Sequence, residues 1–198
     1  LGPSSNAQGQ SPLVVNIDNP NFRRLLIAVP EFRVSAPKSS QRKQLQKMAT
    51  SAASRLEKLL EFSSFFKAMA RPAYKGLEGK LPDLSSSSAA SKIDFKAWKS
   101  VGTESLTFAT LSPERGDLLS LSIQTVDIVR SKVVVAKKYS KMKKSEMELV
   151  LRRYADQVLL AYTGKKGIFS SKVVFVGRKY AKSSKQVYVS DFDGSNVV

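Results

Sequence analysis

The sequence contains no cysteine and no histidine. Without histidine, neither a Ser-His-Asp triad nor a Cys-His nucleophile pair can be assembled. Without either residue, a zinc or iron centre loses its usual ligands. The chain therefore reads as a binding domain without catalytic chemistry, cofactor or metal. Lack of cysteine leaves the compartment open, since cysteine-free chains occur in all of them. Long apolar runs are missing too: none approaches the roughly 18 residues that would span a membrane. The chain begins Leu1-Gly2-Pro3 without a hydrophobic leader, which reads as a mature or trimmed product.

Acidic residues are scarce, 16 against 33 basic ones, for a net charge of +17. The excess is spread along the chain, with 16 basic and 7 acidic residues in 1–100 and 17 and 9 in 101–198. Such a field draws nucleic acid, anionic lipid or an acidic protein partner. It also simply keeps a domain soluble, and the lack of a recognised nucleic-acid motif favours that plainer reading.

What is present is patterned. Hydrophobic residues make up 42% of 198 residues, enough for one domain core plus an extra piece. Residues 1–12 are a polar Gly/Ser/Pro leader. Leu13-Val14-Val15-Asn16-Ile17-Asp18 follows, a short apolar segment closed by Asn19-Pro20-Asn21. Leu25 to Val29 suits a strand buried on both faces. From Ser40 to Phe62, Leu45, Met48, Ala49, Ala52, Leu56, Leu59 and Leu60 make one helical stripe, with Ser39 or Ser40 as cap. Phe65 to Met69 reads as a strand, residues 75–92 as a loop, and Asp94 to Val101 as a short helix ended by Gly102.

Three strands come next: Leu106 to Leu111, Leu119 to Gln124, and Val133 to Ala136. In the second, Leu119, Leu121 and Ile123 alternate with Ser120, Ser122 and Gln124, predicting one buried and one wet face. A helix then starts at a Ser145/Glu148 capping box, buries Met147, Val150, Leu151, Tyr154, Val158 and Tyr162, and closes at Gly164. Val173 to Val176 and Gln186 to Val189 form a final hairpin. The fold class is α/β (α+β): a mixed β-sheet packed by two main helices and one short helix, followed by a short β-hairpin.

Chemistry-bearing patterns are few. Glu57 and Glu61 are one helical turn apart beside Arg55 and Lys58, which favours solvated pairing over acid–base work. Thr163-Gly164-Lys165-Lys166-Gly167 follows a helix where a phosphate loop precedes one, so a helix C-cap accounts for it. Asp191 to Asn196 has a calcium-loop flavour but lacks the downstream Glu, and a tight turn is the default. Lys137, Lys138, Lys141, Lys143 and Lys144, with Arg152 and Arg153 beyond, are the candidate patch for an anionic partner; a solvated hairpin end is the plainer reading. Leu13 to Asp18 either pairs with this domain's own sheet or adds to the sheet edge of another protein.

Four stretches carry a family resemblance: Arg24 to Phe32 with its Val29-Pro30-Glu31-Phe32 ending, Phe95 to Gly102 around Trp98, Ala155 to Phe169 with Thr163-Gly164-x-x-Gly167-x-Phe169, and Val187 to Asn196. In order and spacing they resemble the TolB family, the periplasmic component of the Tol-Pal cell-envelope system of Gram-negative bacteria. The resemblance implies that residues 13–168 are the amino-terminal α/β domain and 169–198 the opening strands of a β-propeller. It implies a periplasmic location and no enzyme activity. It makes Leu13, Val14, Val15, Asn16, Ile17 and Asp18 the segment that docks TolA by strand addition. The family's Pal-binding surface belongs to the propeller, so that site is expected to be missing from this stretch. The strong positive charge is a departure from the family. A basic nucleic-acid-binding domain is the competing class.

Overall fold

The structure, a computed structural model, describes residues 23–35, 42–85, 93–180 and 184–198. In chain order the elements are β1 (Leu25–Ala28), β2 (Arg33–Val34), α1 (Arg42–Phe62), β3 (Phe66–Ala68), α2 (Phe95–Ser100), β4 (Ser105–Pro113), β5 (Leu119–Asp127), β6 (Lys132–Met142), α3 (Met147–Thr163), β7 (Lys172–Gly177) and β8 (Gln186–Asp191). The main sheet runs β3-β1-β4-β5-β6, and β2 pairs β4 beyond the end of β1. Strand β1 is parallel to both β3 and β4, while β4, β5 and β6 form an antiparallel meander. A parallel β1–β3 pair needs a crossover, and α1 supplies it.

Helices α1 and α3 cover one face. The stripe read from the sequence is buried at Leu45, Ala49, Ala52, Leu56, Leu59 and Leu60, with Met48 half-buried. The proposed caps Ser39 and Ser40 lie outside the described residues. On the other face, Tyr74, Leu81, Ile93 and Trp98 pack on Leu106, Phe108, Val126 and Ile128. That second layer corrects the wet face expected for β5. All nine β5 residues are buried, Gln124 to 4% exposure. Alternation in sequence reports polarity, not burial: Tyr74 and Trp98 cover the Val126 end of that side, and Leu84, whose N–H donates to Thr110 Oγ1 at 2.9 Å, lies beside Ser122 and Gln124.

Buried polar groups on the helix side are linked. Thr107 Oγ1 and Thr125 Oγ1 are 2.7 Å apart, and Thr125 Oγ1 is 2.7 Å from the Tyr154 hydroxyl. The Tyr162 hydroxyl donates to Ser105 Oγ at 2.9 Å. These bonds let two tyrosines of α3 sit wholly inside the core, where burial pushes both hydroxyls far above their usual titration range.

Helix α3 ends as expected, with Gly164 at φ 70° and its N–H donating to the Leu160 carbonyl at 2.9 Å. Its start differs. A single 3-10 turn, Lys144–Glu146, comes first, and the Lys143 N–H donates to Glu146 Oε2 at 2.7 Å. Glu148 is drawn away from the expected capping box by two guanidinium groups, a stronger pairing than a neutral N–H offers.

Candidate docking surfaces

The segment Leu13–Asp18 lies outside the described residues. The lysine cluster does not. Strand β6 reaches Met142, so Lys137, Lys138 and Lys141 belong to an edge strand, Lys143 follows it and Lys144 opens the 3-10 turn. This corrects the hairpin-end reading: only the last three lie at the strand's end. Lys137 stands opposite Ile123 and Lys138 opposite Ser122. Consecutive strand residues point to opposite faces. The lysines therefore form a stripe wrapped around an open edge, not one patch. Lys141, at φ 55°, bends the strand end, and its N–H donates to Glu114 Oε2 at 3.0 Å. Lys144 lies 3.9 Å from Asp117. Among the described residues no carboxylate pairs with Lys137 or Lys138. Beside them, Leu84, Ser122, Gln124, Ala136 and Lys138 line a shallow groove of about 290 Å³.

A second charged group joins α1 and α3 to the terminal hairpin. Arg152, 7% exposed, places Nε 2.8 Å from Glu148 Oε1, Nη1 2.7 Å from Asp191 Oδ2 and Nη2 3.3 Å from Asp193 Oδ2. Its guanidinium carbon lies 5.2 Å from the Phe192 ring centre. Arg55 Nη2 reaches Glu148 Oε1 at 2.6 Å and Asp193 Oδ2 at 2.9 Å. The Lys172 ammonium, the Asn196 amide and Arg152 hold the Asp191 carboxyl well below the usual carboxylate range. The Ser195 hydroxyl and Arg55 hold Asp193 down, to about 2. Burial alone would raise Glu148, but Arg55 and Arg152 outweigh it and hold the group low. The Asp191–Asn196 stretch is the expected tight turn, with Gly194 at φ 78°. Its carboxylates point at protein cations. Glu57, read from sequence as paired with Arg55 and Lys58, is instead half-buried beside Arg71 at 4.0 Å.

The link between α3 and β7 explains the Thr-Gly-x-x-Gly-x-Phe pattern. Asp156 accepts from the Phe169 and Ser170 N–H groups, both at 2.9 Å. A Cβ on Gly167 would overlap the Asp156 carboxylate and stand 2.9 Å from its Cα. Phe169 is fully buried, edge-on to Phe62 at 6.4 Å and Phe192 at 5.2 Å. Gly164 is the helix stop expected from the sequence, and Gly167 had no reading of its own; Arg152, expected beside the lysines as part of an anion-binding patch, is instead buried and spent on Glu148, Asp191 and Asp193. For Arg152 the available signal was its i,i+4 spacing from Glu148.

The hairpin itself is open. Val174, Val176 and Val187 are 65%, 64% and 67% exposed, and the outer edge of β7 is unpaired among the described residues. No helix among the described residues is long and apolar enough to cross a membrane.

Comparison with known proteins places this geometry. The profile of the TolB amino-terminal domain matches residues 13–134. The Tol-Pal system protein TolB of Desulfosudis oleivorans is 30% identical over 182 residues, 92% of this chain and 39% of that protein. The TolB homolog of Chlorobium chlorochromatii is 33% identical over 138 residues, 70% of this chain and 29% of that protein. The crystal structure of TolB from Acinetobacter baumannii has the same fold, with a TM-score of 0.60 at 16% identity over 88% of this chain and 38% of that one. The chain thus spans at most about two-fifths of the length of these relatives.

Proposed function

The chain belongs to the TolB family, and from that premise we propose that it is a non-catalytic, periplasmic docking module of the Tol-Pal envelope system that engages TolA through Leu13–Asp18 by strand addition. The observation that carries this reading is the reach of the family match, which begins at residue 13 and takes in the segment itself. Leu13, Val14, Val15 and Ile17 supply apolar side chains, and Asn16 and Asp18 polar ones. In strand addition, main-chain hydrogen bonds give affinity and alternate side chains give specificity. The absence of histidine and cysteine supports docking over catalysis.

In the same reading, residues 13–168 are the amino-terminal domain and 169–198 open a β-propeller, the part that docks Pal in the family. Two observations support that division: the hairpin is tied down at its base by Arg152 and Phe169, and β7 turns apolar side chains outward. A propeller blade presents such a face to the next blade.

The test is calorimetry of the 198-residue chain against the isolated C-terminal domain of TolA. Binding is expected, and deletion of residues 1–18 is expected to abolish it while leaving the thermal melt in place. Unchanged affinity after the deletion overturns the assignment.

A further inference from the structure

We propose that the outer edge of β6 is a second docking site, which takes an acidic, extended segment of another protein as an added strand. The site is independent of Leu13–Asp18. Strand β6 is 11 residues long and ends the sheet, and among the described residues nothing pairs its outer edge. An open edge of that length is a template for a further strand. Edge lysines ordinarily guard against such pairing, but their guard is selective. Like charges placed opposite one another destabilise a cross-strand pair, and opposite charges favour it. Lys137 and Lys138 therefore exclude a second copy of β6 and admit an acidic strand.

Three features commit the edge to that occupant. Lys137 and Lys138 point to opposite faces, so an incoming strand meets a cation whichever face its carboxylates occupy. Neither lysine has an acidic partner among the described residues, so docking costs no existing ion pair. The groove lined by Leu84, Ser122, Gln124, Ala136 and Lys138 leaves room for an apolar side chain from the same strand. The +17 field speeds the encounter. Nucleic acid fits this edge poorly. Tyr139, the aromatic residue among the lysines, is half-buried with its hydroxyl shut away from water, so no platform is offered to a base.

The probe is a blocked octapeptide of alternating glutamate and valine, titrated at low salt with amide hydrogen exchange read along the chain. Binding is expected, with slowed exchange between Val133 and Ser140 and none in β7. The double variant Lys137→Glu, Lys138→Glu should weaken binding by about tenfold, given the modest worth of exposed charge pairs. Lys137→Ala, Lys138→Ala is the milder check should the reversal fail to fold. The same peptide N-methylated at alternate residues keeps its charge and loses the ladder, and should not bind. Equal binding of the N-methylated peptide reduces the edge to charge attraction and overturns the proposal. So does protection outside β6, no binding at all, or an oligothymidylate that binds as well and protects the same amides. The chain lacking residues 1–18 should bind the peptide unchanged, which separates this site from the TolA segment.

Discussion

Arg152 Nη1 and Asp191 Oδ2 meet at 2.7 Å across the seam between α3 and the terminal hairpin, with 7% and 8% of the two side chains exposed. The same guanidinium also serves Glu148 and Asp193 and lies against Phe192. One side chain on α3 thus holds the end of β8, beside the Arg55–Asp193 pair and the Phe169–Phe192 contact. Arg152→Met keeps the aliphatic stem and removes all three ion pairs. Exchange of the β8 amides should quicken by about tenfold or more, while the amides of β4 and β5 hold their protection, because local opening has its own free energy. Arg152→Lys should not rescue, since an ammonium is a point charge without the planar fork. Uniform acceleration across the sheet would mean that Arg152 serves global stability instead.

The seam also makes stability depend on acid. Glu148, Asp191 and Asp193 all titrate below their ordinary range in the folded chain. In the unfolded chain they take up protons near pH 4. Between those limits the unfolded state binds more protons, so stability falls as pH falls. Urea midpoints are expected to stay level from about pH 7 to 5 and to drop from about 4.5 downward. Arg152→Met should start lower at neutral pH and show a somewhat shallower drop, having lost one of the cations that lower these groups while Lys172 and Arg55 remain. An acid limb of unchanged slope in that variant would remove Arg152 as a source of it.

The elements legible in sequence were those whose signal is local. The α1 stripe and the Gly164 stop needed only spacing and one residue's backbone preference. The wet side of β5 was misread because the residues laid along that face, Tyr74 and Trp98 at Val126 and Leu84 at Ser122 and Gln124, come from segments distant in sequence. Arg152 looked like one more surface cation because its partners Asp191 and Asp193 sit in a turn that reads, alone, as a turn. The length of β6 was hidden by its lysines, which an edge strand tolerates and a buried strand does not.

Gly167 and Asp156 offer a test of the connection between α3 and β7. Gly167→Ala forces a methyl group into the Asp156 carboxylate, an overpacking expected to cost about 1–3 kcal/mol. Asp156→Ala removes the acceptor for two N–H groups, one of them buried, and a comparable loss of about 1–3 kcal/mol follows from leaving donors unpaired. The two changes share one contact, so the double variant should lose less than the sum of the singles. Additive losses in urea denaturation would show that the two residues act separately.

Val198 pairs with Val189 through two main-chain bonds of 2.9 Å, so part of the far edge of β8 is occupied, while among the described residues nothing pairs that of β7. Val174 and Val176 on β7 and Val187 on β8 are all more than three-fifths exposed, an apolar surface beside an unpaired ladder. Such an edge favours self-association. A charge of +17 opposes it, and that repulsion is long-range and screened by salt, with a Debye length of about 10 Å at 0.1 M against about 3 Å at 1 M. The chain should therefore sediment as a monomer at low salt and associate as salt rises, the reverse of an interface built on ion pairs. Val174→Lys should suppress the association and change folding stability by no more than about 0.5 kcal/mol, because the side chain touches little in the monomer. Phe169→Ala, in the buried cluster at the hairpin's base, should instead cost about 3–5 kcal/mol. Association that weakens with salt, or survives Val174→Lys, would place the contact away from β7.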